Sequence, residues 1–475
     1  MEEYIKKLLE QVRFQKAHKA IGDELRLHIE DQIETNISEG MDRETAEKIA
    51  VEDMGDPVET GIALDKVHRP QVAWGVIVVA IGVGFFGAII HFLLEKLPSS
   101  SDYGINIIGN ITLDNAGYYL YNVVCGIVIM LGMYLIDYTM VAKYSKVVAA
   151  LLLISYTIKS FAFYKRMENF DPEYGTEIPS VYQSIESFFS WSGHCIFLLV
   201  PLFAGILYKY KGQKYKGLIK SLIWIIVSGL VATGINNQEF RALVIVICLL
   251  VELTIAIEKE WIKVPKVQSV TAIWSFFTVV PIVLIRFMYD NKILSLSKMN
   301  LVRSLFGPAT SKSKVKELLS GVKTFGSGTV SYMGGKITVS TLDLISSRIS
   351  SGKCYMITKV AAVFGGALAF AIITVVAALI IFGFVSTAKT KNQLGMVMGS
   401  GCMLWLAINA ILNMFISFGM LPAYQYTSFF PFISNHKVVA SYAVLGIILS
   451  IYKYKDAYPQ HIDITIRTKS KDLES

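Results

Sequence analysis

Apolar runs of about 18–25 residues recur along most of this sequence, and they constrain its fold more than any other feature. A run of this length crosses a hydrocarbon core of about 30 Å as a single helix. Hydrophobic residues make up 53% of the 475 residues and charged residues only 17%, whereas soluble proteins have about 45–50% and about 25%. The sequence therefore predicts an all-α fold, a polytopic helical bundle integral to the membrane. We predict ten spans, at 72–94, 117–137, 147–164, 187–208, 218–235, 241–258, 269–288, 357–385, 394–420 and 438–453.

Residues 1–69 have a different pattern and predict a small separate helical domain. Apolar residues recur at every fourth position and form one helix face: Ile21, Leu25, Ile29, Ile33 and Ile37. Gly40 ends this pattern, and Asp42 and Asp56 are suited to cap two further helices, the second of which starts with Pro57. No basic and apolar leader precedes the segment, so we expect it to fold in the cytosol.

The net charge of +8 is unevenly distributed along the chain. Residues 1–69 contain 17 acidic and 10 basic residues, so the rest of the chain carries an excess of about 15 positive charges. Lysines crowd three short loops, 209–220, 259–266 and 389–391, which lie on the side of the N-terminal domain if ten spans alternate in direction. This charge pattern predicts a plasma-membrane protein with both termini cytosolic and no nucleic-acid partner. We expect a transmembrane domain at 70–455 and a polar tail at 456–475. The acidic N-terminal domain either docks by charge onto the basic 209–220 loop, binds a cytosolic regulator, or serves only as a stabilising cap.

The connection at 286–356 is far longer than the usual 4–6 residues, and long loops of this kind are usually functional or disordered. It contains the turn sequence Gly326-Ser327-Gly328 and many basic residues. Its charge favours an anionic partner on the outer face, such as a lipid pyrophosphate or a wall polymer. The alternative is a solvated basic loop without a ligand.

The sequence contains no Gly-rich phosphate loop, zinc-protease motif or nucleophile elbow, and its five cysteines form no metal-ligand spacing. We therefore expect no metal, no cofactor and no disulfide framework. Polar residues within or beside the apolar runs are costly in lipid and are the remaining candidates: Asp137, Lys159, His194, Glu252, Asn409 and Asn413. We expect Asp137 and Glu252 at solvated helix ends and a structural role for His194, which leaves Lys159 and Asn413 as candidates for an internal substrate site.

The segment NAILNMFISFGMLPAYQYTSFFPFIS at 409–434 resembles the late signature of the SEDS family of shape, elongation, division and sporulation proteins (FtsW, RodA and SpoVE). Asn413 and Pro422 fall into its first block, and Pro431-Phe432-Ile433-Ser434 matches its second. Gln425 and Asn435-His436-Lys437 replace family glycines. On this resemblance Asn413, Pro422 and Ser434 join Lys159 as candidate substrate-binding residues.

The N-terminal domain is similar to the permease prefix (HAAS-like) domain, through elements such as Glu39-Gly40-Met41 and Met54-Gly55-Asp56-Pro57. Many SEDS-like proteins carry this domain before their first span. The two resemblances lie at opposite ends of the chain and agree with ten spans and a long outer loop between the seventh and the eighth.

The SEDS resemblance implies a peptidoglycan glycosyltransferase that polymerises lipid II, an undecaprenyl-linked precursor, beside a class B penicillin-binding protein. The family places an essential carboxylate just before the eighth span, where it can act as a general base. An ungapped match puts Cys354 at that position, and a neutral thiol is a poor base at pH 7. Asp343 is the nearby acid, and it reaches the motif if the loop carries an insertion.

Three functional hypotheses follow from these residues. The first is an active glycosyltransferase with Asp343 as its base. The second is a non-catalytic regulator or scaffold of wall synthesis, suggested by Cys354 and the replaced glycines. The third is a transporter of lipid-linked precursors, suggested by the polar residues in the spans.

Overall fold

The structure is a computed structural model that describes residues 1–96, 116–168, 180–233, 239–291, 315–316, 318–332, 335–338, 355–421, 430–434 and 438–458. Eight helices in this part of the chain are long and apolar enough to cross a membrane, and the apolar helix Val438–Lys453 is shorter. The fold class is therefore confirmed as a polytopic helical membrane protein. The remaining predicted span, 241–258, falls in a helix that carries Arg241 and Glu252 among its apolar residues.

Four helices form the N-terminal domain: α1 (Glu2–Glu10), α2 (Gln15–Ser38), α3 (Arg43–Asp53) and α4 (Pro57–His68). Both predicted caps are observed, because the Asp42 carboxylate accepts a hydrogen bond from the Thr45 amide and Asp56 accepts from the amides of Val58 and Glu59. The predicted apolar face of α2 is buried at Ile21, Ile29 and Ile33, while Ile37 at its end is exposed. Helices α1, α2 and α3 thus enclose a core of their own, which is buried at Ile5, Leu8 and Ala46.

The first half of the bundle contains helices that are longer or more broken than their apolar runs suggest. The span predicted at 147–164 is part of a continuous helix of 31 residues, because its neighbouring polar residues also remain helical. The span predicted at 187–208 is interrupted by a 3₁₀ turn at Ile196–Leu198. The helices are α5 (Trp74–Glu95), α6 (Ala116–Leu135), α7 (Tyr138–Glu168), α8 (Ser180–Phe188), α9 (Ser190–Cys195) and α10 (Leu199–Tyr208).

Three helices follow: α11 (Tyr215–Thr233), α12 (Glu239–Glu258) and α13 (Lys266–Asp290). Helix α12 packs against α10, α11 and α16, the long helix Gln393–Ser417. Helix α13 differs, since only 6% of its apolar window is buried and among these helices it packs only against α12. Its apolar surface therefore faces outward along almost its whole length.

A short antiparallel hairpin of β1 (Thr329–Tyr332) and β2 (Gly335–Thr338) lies in the loop that follows α13.

The prediction of one helix at 357–385 is wrong in detail. The helix is interrupted at Gly365, between α14 (Met356–Phe364) and α15 (Gly366–Ala388). Gly365 has a φ of +106°, a conformation that residues with a side chain rarely adopt.

Helices α16 and α17 (Val438–Lys453) lie at the centre of the bundle. Helix α17 packs along α6, and α16 packs against α10, α12 and α15. Both central helices are buried for most of their length. Polar residues on α16 are therefore held inside protein and away from lipid.

The three lysine-rich loops meet at one end of the bundle, as the charge pattern predicts. The Gly212 amide donates to the Trp261 carbonyl at 2.8 Å, and the Trp261 indole donates to Gln393 Oε1 at 2.8 Å. The Lys209 ammonium donates to the Lys143 carbonyl at the start of α7. We call this end the domain face, because the N-terminal domain contacts it, and the opposite end the far face.

The N-terminal domain docks on the turn between α6 and α7 and on the end of α17. The Lys16 ammonium lies 2.6 Å from Asp137 Oδ2, and Phe14 stacks on Tyr454 with ring centroids 5.5 Å apart. Tyr458 donates a hydrogen bond to the same Asp137 carboxylate. Among the described residues, the expected docking onto the 209–220 loop is therefore wrong. A lysine of the domain instead contacts a buried acid of the membrane part.

Asp137 is only 6% exposed, so the expected solvated position is also wrong. Burial alone raises the pKa of Asp137, but hydrogen bonds from Lys16, Tyr458 and the Thr139 amide together lower it below its usual value. Burial and the adjacent carboxylate raise the pKa of the Tyr458 hydroxyl. In the docking contact, one carboxylate thus accepts hydrogen bonds from a neutral phenol and from an ammonium.

Candidate functional site

Two cationic side chains meet at Gly193 in the far half of the bundle. Arg241, near the start of α12, donates hydrogen bonds to the Gly193 carbonyl at 3.2 Å and to the Tyr156 hydroxyl. Lys159 on α7 lies so close to Gly193 that a Cβ atom there would stand 2.8 Å from its Nζ atom. The missing side chain at residue 193 therefore lets both cations approach the same backbone.

This pair of cations is only partly neutralised by the described acids around it. Glu186 on α8 forms an ion pair of 2.9 Å with Arg166 and also attracts Lys159 electrostatically. Among the described residues neither Lys159 nor Arg241 forms an ion pair, and the Arg241 Nε atom is buried without a hydrogen-bond partner. With Arg166 and Glu186 included, this basic cluster carries two net positive charges, which suits an anionic group.

Arg241 of the basic cluster lines a small cavity between α9, α12, α16 and α17. Its volume is about 20 Å³, which is room for about one water molecule. The lining consists of Gly193, His194, Ile196, Phe197, Arg241, Val244, Ile245, Trp405, Asn409 and Ala440. A sugar or a pyrophosphate is much larger than this space, so the cavity is a constriction beside the cluster and not a chamber for a whole headgroup.

A line of buried polar groups runs along α16 from this cavity towards the far face. Asn409, Asn413 and Ser417 are spaced four residues apart and so share one face of the helix. The Ser417 hydroxyl donates to Asn413 Oδ1 at 3.3 Å, and Thr358 of α14 donates to the Ser417 carbonyl at 2.7 Å. Asn413 is fully buried and lies one turn away from the cavity, and the bond from Thr358 to Ser417 holds α16 against α14.

The segment 430–434 forms a tight turn at the far face that is held from two helices. The Tyr119 hydroxyl on α6 donates to the Phe432 carbonyl at 2.6 Å, and the His91 ring on α5 hydrogen-bonds the Ile433 carbonyl at 3.0 Å. The two rings stack with centroids 4.1 Å apart. Ser434 is buried within this turn, and its amide donates to the Phe430 carbonyl at 3.1 Å.

Phe432 in this turn has a φ of +69°, which is uncommon for any residue with a side chain. Its ring is buried against Tyr442 of α17, whose hydroxyl donates to the Ala80 carbonyl at 2.8 Å. Backbone strain of this kind persists only where the surroundings determine the conformation, and it clusters at functional sites. The Pro-Phe-Ile-Ser motif singled out by the sequence therefore coincides with a strained and firmly held turn.

The long loop after α13 is fastened to the break between α14 and α15. The Gly326 and Gly328 amides donate to the Phe364 and Ala362 carbonyls, and the Gly366 amide donates to the Lys323 carbonyl. These hydrogen bonds explain why the turn sequence Gly326-Ser327-Gly328 is needed. A Cβ atom at residue 328 would lie 2.7 Å from the Gly321 carbonyl oxygen.

The candidate residues from the sequence are thus only partly described. Lys159, Asn413 and Ser434 occupy the positions given above, on three separate parts of the far half. Asp343, Cys354 and Pro422 lie outside the described residues. Asp343 follows the end of β2 by a few residues in the sequence, and Cys354 precedes α14 closely.

Sequence reasoning missed three residues of this region. Arg241 escaped notice because it is the first residue of its apolar run, where a charge is usually solvated. His91 and Tyr119 escaped notice because they lie inside apolar runs, although a histidine in a membrane span is itself a signal. The expected solvated position of Glu252 is wrong, because this residue is fully buried where α12 packs against α16.

Comparisons with known proteins give a fold and not a close relative. No protein-family model matches the sequence, and no curated protein matches it either. The structure is similar to a chain reported as showing structural coordination of polymerization and crosslinking by a peptidoglycan synthase complex, with a TM-score of 0.54, 11% identity, and coverage of 81% of this chain and 99% of that chain. A mutant of the rod shape determining protein RodA from Thermus thermophilus aligns over 81% of this chain and 98% of its own, with 9% identity and a TM-score of 0.46.

The first of these similarities shows that the chain shares a fold with that part of a peptidoglycan synthase complex. The alignment spans nearly all of that chain, so the fold is shared as a whole.

Proposed function

We propose that this protein is a SEDS-type peptidoglycan glycosyltransferase that polymerises lipid II at the outer face of the plasma membrane. The observation that carries the proposal is the basic cluster of Lys159 and Arg241 at Gly193, in the far half of a bundle with the fold of a peptidoglycan synthase chain. The motif resemblance at 409–434 supports it independently, because that segment includes the strained turn at Phe432.

The chemistry of the substrate fits this cluster. A lipid-linked disaccharide carries a pyrophosphate between its sugar and its polyprenyl chain, and Lys and Arg side chains are the usual partners of such a group. The cavity beside the cluster is too small for the sugars or the pyrophosphate, so in this proposal both lie outside it and the saccharide extends towards the far face. In this proposal Lys159 and Arg241 attract the pyrophosphate. Ser434 and Pro422 belong to segments that would lie beside the saccharide.

The proposed reaction needs a base near the outer end of the bundle. A carboxylate takes the proton from the 4-hydroxyl of the acceptor sugar as its oxygen attacks C1 of the donor. The bond from C1 to the pyrophosphate oxygen breaks, and undecaprenyl pyrophosphate leaves with the bonding electron pair. We assign the base to Asp343, which follows a hairpin whose preceding loop is fastened beside Gly365.

The placement in the cell is part of the same proposal. The basic loops and the N-terminal domain share the domain face, so the positive-inside rule puts both termini in the cytosol and the basic cluster towards the outside. We propose residues 1–69 as a permease-prefix-like domain, 70–455 as the SEDS-like domain and 456–475 as a cytosolic tail. A class B penicillin-binding protein is the proposed partner, since the similar chain belongs to a synthase complex.

A non-catalytic scaffold is the second candidate, and Cys354 favours it. In that case the protein would bind lipid-linked precursor through the basic cluster without polymerising it. Cys354→Asp would then create activity that the wild type lacks. An active wild type whose rate is unchanged by Cys354→Ser would exclude this reading.

The test is an assay of purified protein in proteoliposomes that contain lipid II. Polymeric glycan that is digested by a muramidase supports the proposed function. Movement of lipid II across the bilayer without polymer would instead support the transporter hypothesis. Binding without polymer or movement would support the scaffold.

A further inference from the structure

Glu252 lies at the contact of α12 with α16 and is fully buried there. Neither of its carboxyl oxygens has a hydrogen-bond partner in the described part of the chain. The carboxyl group rests on the backbone of Gly401, where a Cβ atom would stand 1.8 Å from Glu252 Oε1 and 2.6 Å from its Cδ atom. The glycine therefore makes the space that this acid occupies.

Among the residues that the structure describes, none provides a counter-ion for Glu252. The titratable groups close to it are the thiols of Cys248 on its own helix and Cys402 on α16, both buried. The charged and phenolic groups of the other helices packed against α12 are directed elsewhere or lie near helix ends. Lys220 of α11 bonds Gln213, Tyr208 of α10 packs on Trp261, Lys266 of α13 pairs with Glu260, and Lys216, Tyr215, Arg286, Tyr289 and Asp290 lie near the ends of α11 and α13.

An ionised carboxylate in such a place would be very unfavourable, because burial removes its hydration and nothing replaces it. A neutral carboxylic acid costs far less. We propose that Glu252 is a proton-binding site inside the membrane, which holds its proton while α12 and α16 are in contact and releases it only when these helices separate.

The site is distinct from the basic cluster, since Glu252 lies about 16 Å along α12 from Arg241 at 1.5 Å per residue. It does not depend on the proposed function. It is linked to that region through α16, because Gly401 lies on the same helix as Asn409, two turns before it. A separation of α12 and α16 that hydrates Glu252 would therefore also open the cavity that Arg241 and Asn409 line.

The charge state of Glu252 is measured directly by infrared difference spectroscopy of the full-length protein in detergent or bilayer. Wild type minus Glu252→Gln at pH 7 should show the carbonyl stretch of a protonated carboxylic acid. Glu258→Gln, which changes an exposed acid at the end of the same helix, should remove a carboxylate signal instead. A carboxylate signal from Glu252 would overturn the proposal.

The Gln variant also tests the folded state. Glutamine is neutral and has nearly the same shape, so the melting temperature at pH 7 should equal or exceed that of the wild type. The difference should grow in favour of the variant as the pH rises, because only the wild type then acquires a charge in the interface. A variant that unfolds at pH 7 would contradict a neutral Glu252.

Helix separation is tested with the two cysteines that flank the site. The rates of alkylation of Cys248 and Cys402, followed by peptide mass spectrometry, are compared between the wild type and Glu252→Gln from pH 7 to pH 9. A charged Glu252 disfavours thiolate formation at both cysteines and would by itself lower the wild-type rate, so a ratio of wild-type to variant rate that rises with pH reports opening. A ratio that rises severalfold with pH is expected, and a ratio that stays at one would overturn the coupling.

Discussion

Lys159 and Gly193 are in such close contact that a Cβ atom at residue 193 would stand 2.8 Å from the lysine ammonium. Arg241 donates to the carbonyl of the same glycine. Two cations from α7 and α12 are thus brought to one point in the far half of the bundle. A pair of like charges in a membrane protein is costly by itself, and the proposed anionic ligand would offset that cost.

Replacement of Lys159 separates a binding role from a structural one. The side chain is half-buried in a membrane span and forms no ion pair among the described residues, so Lys159→Met should leave the melting temperature unchanged or raise it slightly. Affinity for lipid II should fall about tenfold, or about 1.4 kcal/mol. The measurement is equilibrium binding of lipid II beside a thermal melt of each variant.

Lys96→Ala is the matched control, since Lys96 is an exposed cation at the end of α5 and lies over the Phe92 ring. Its affinity should equal that of the wild type. Equal losses of lipid II affinity in Lys96→Ala and Lys159→Met would mean that only the overall surface charge affects binding. The basic cluster would then have no special role.

The turn at 430–434 depends on the Tyr119 hydroxyl. Tyr119→Phe leaves the buried ring in place and removes the hydrogen bond to the Phe432 carbonyl, which costs about 1 kcal/mol of stability. Because that bond holds Phe432 at positive φ, polymerisation should fall more than the lost stability explains. Tyr121→Phe on the exposed side of α6 should change neither quantity, and a fully active Tyr119→Phe would remove the turn from the site.

The break between α14 and α15 should not accept a side chain. Gly365→Ala places a Cβ atom 2.6 Å from the Thr324 carbonyl oxygen at a φ of +106°, so we expect a loss of at least about 1–2 kcal/mol. Gly75→Ala on α5 has open space around it and should be neutral or slightly stabilising. Similar melting temperatures for the two variants would show that the fastened loop does not need this conformation.

Docking of the N-terminal domain should weaken in acid. The pKa of Asp137 lies below its usual value in the folded protein, so the carboxylate stabilises the contact above the unfolded pKa of about 3.9. This stabilisation is lost as the pH falls through the lower folded value. Crosslinking through cysteines placed beside this contact, with Phe14, Lys16, Asp137, Tyr454 and Tyr458 left intact, should therefore persist from pH 7 to about pH 5 and fall below about pH 4.

Asp137→Asn should weaken the same crosslink at pH 7 and abolish its acid sensitivity. Lys19→Ala on the exposed side of α2 serves as the control and should match the wild type. A crosslink in the wild type that is unchanged at pH 3 would show that the aromatic contacts of Phe14 hold the domain without the ion pair.

The sequence predicts most of the features that depend on neighbouring residues. The caps at Asp42 and Asp56, most of the apolar face of α2 and eight of the ten predicted spans follow from local pattern, and the structure contains them. The break at Gly365 was missed because apolar residues surround it, although the pair Gly365-Gly366 is itself a signal for a break.

Burial of single polar residues was not predictable in this way. Asp137 is buried because a lysine 121 positions earlier in the sequence reaches it, and Glu252 is buried because Gly401 on a distant helix leaves space for it. Arg241 is recognisable as a candidate site residue only through its hydrogen bonds to Gly193 and Tyr156, which the fold brings beside it. These relationships join residues far apart in the chain, and no local pattern encodes them.

The most direct measurement of the proposed function is the initial rate of glycan polymerisation from lipid II by the purified wild type and by Asp343→Ala. The account predicts polymer from the wild type and a rate at least about a hundredfold lower in the variant, as for the loss of a general base. No polymer from a folded wild type that binds lipid II, or an undiminished rate in Asp343→Ala, would contradict it.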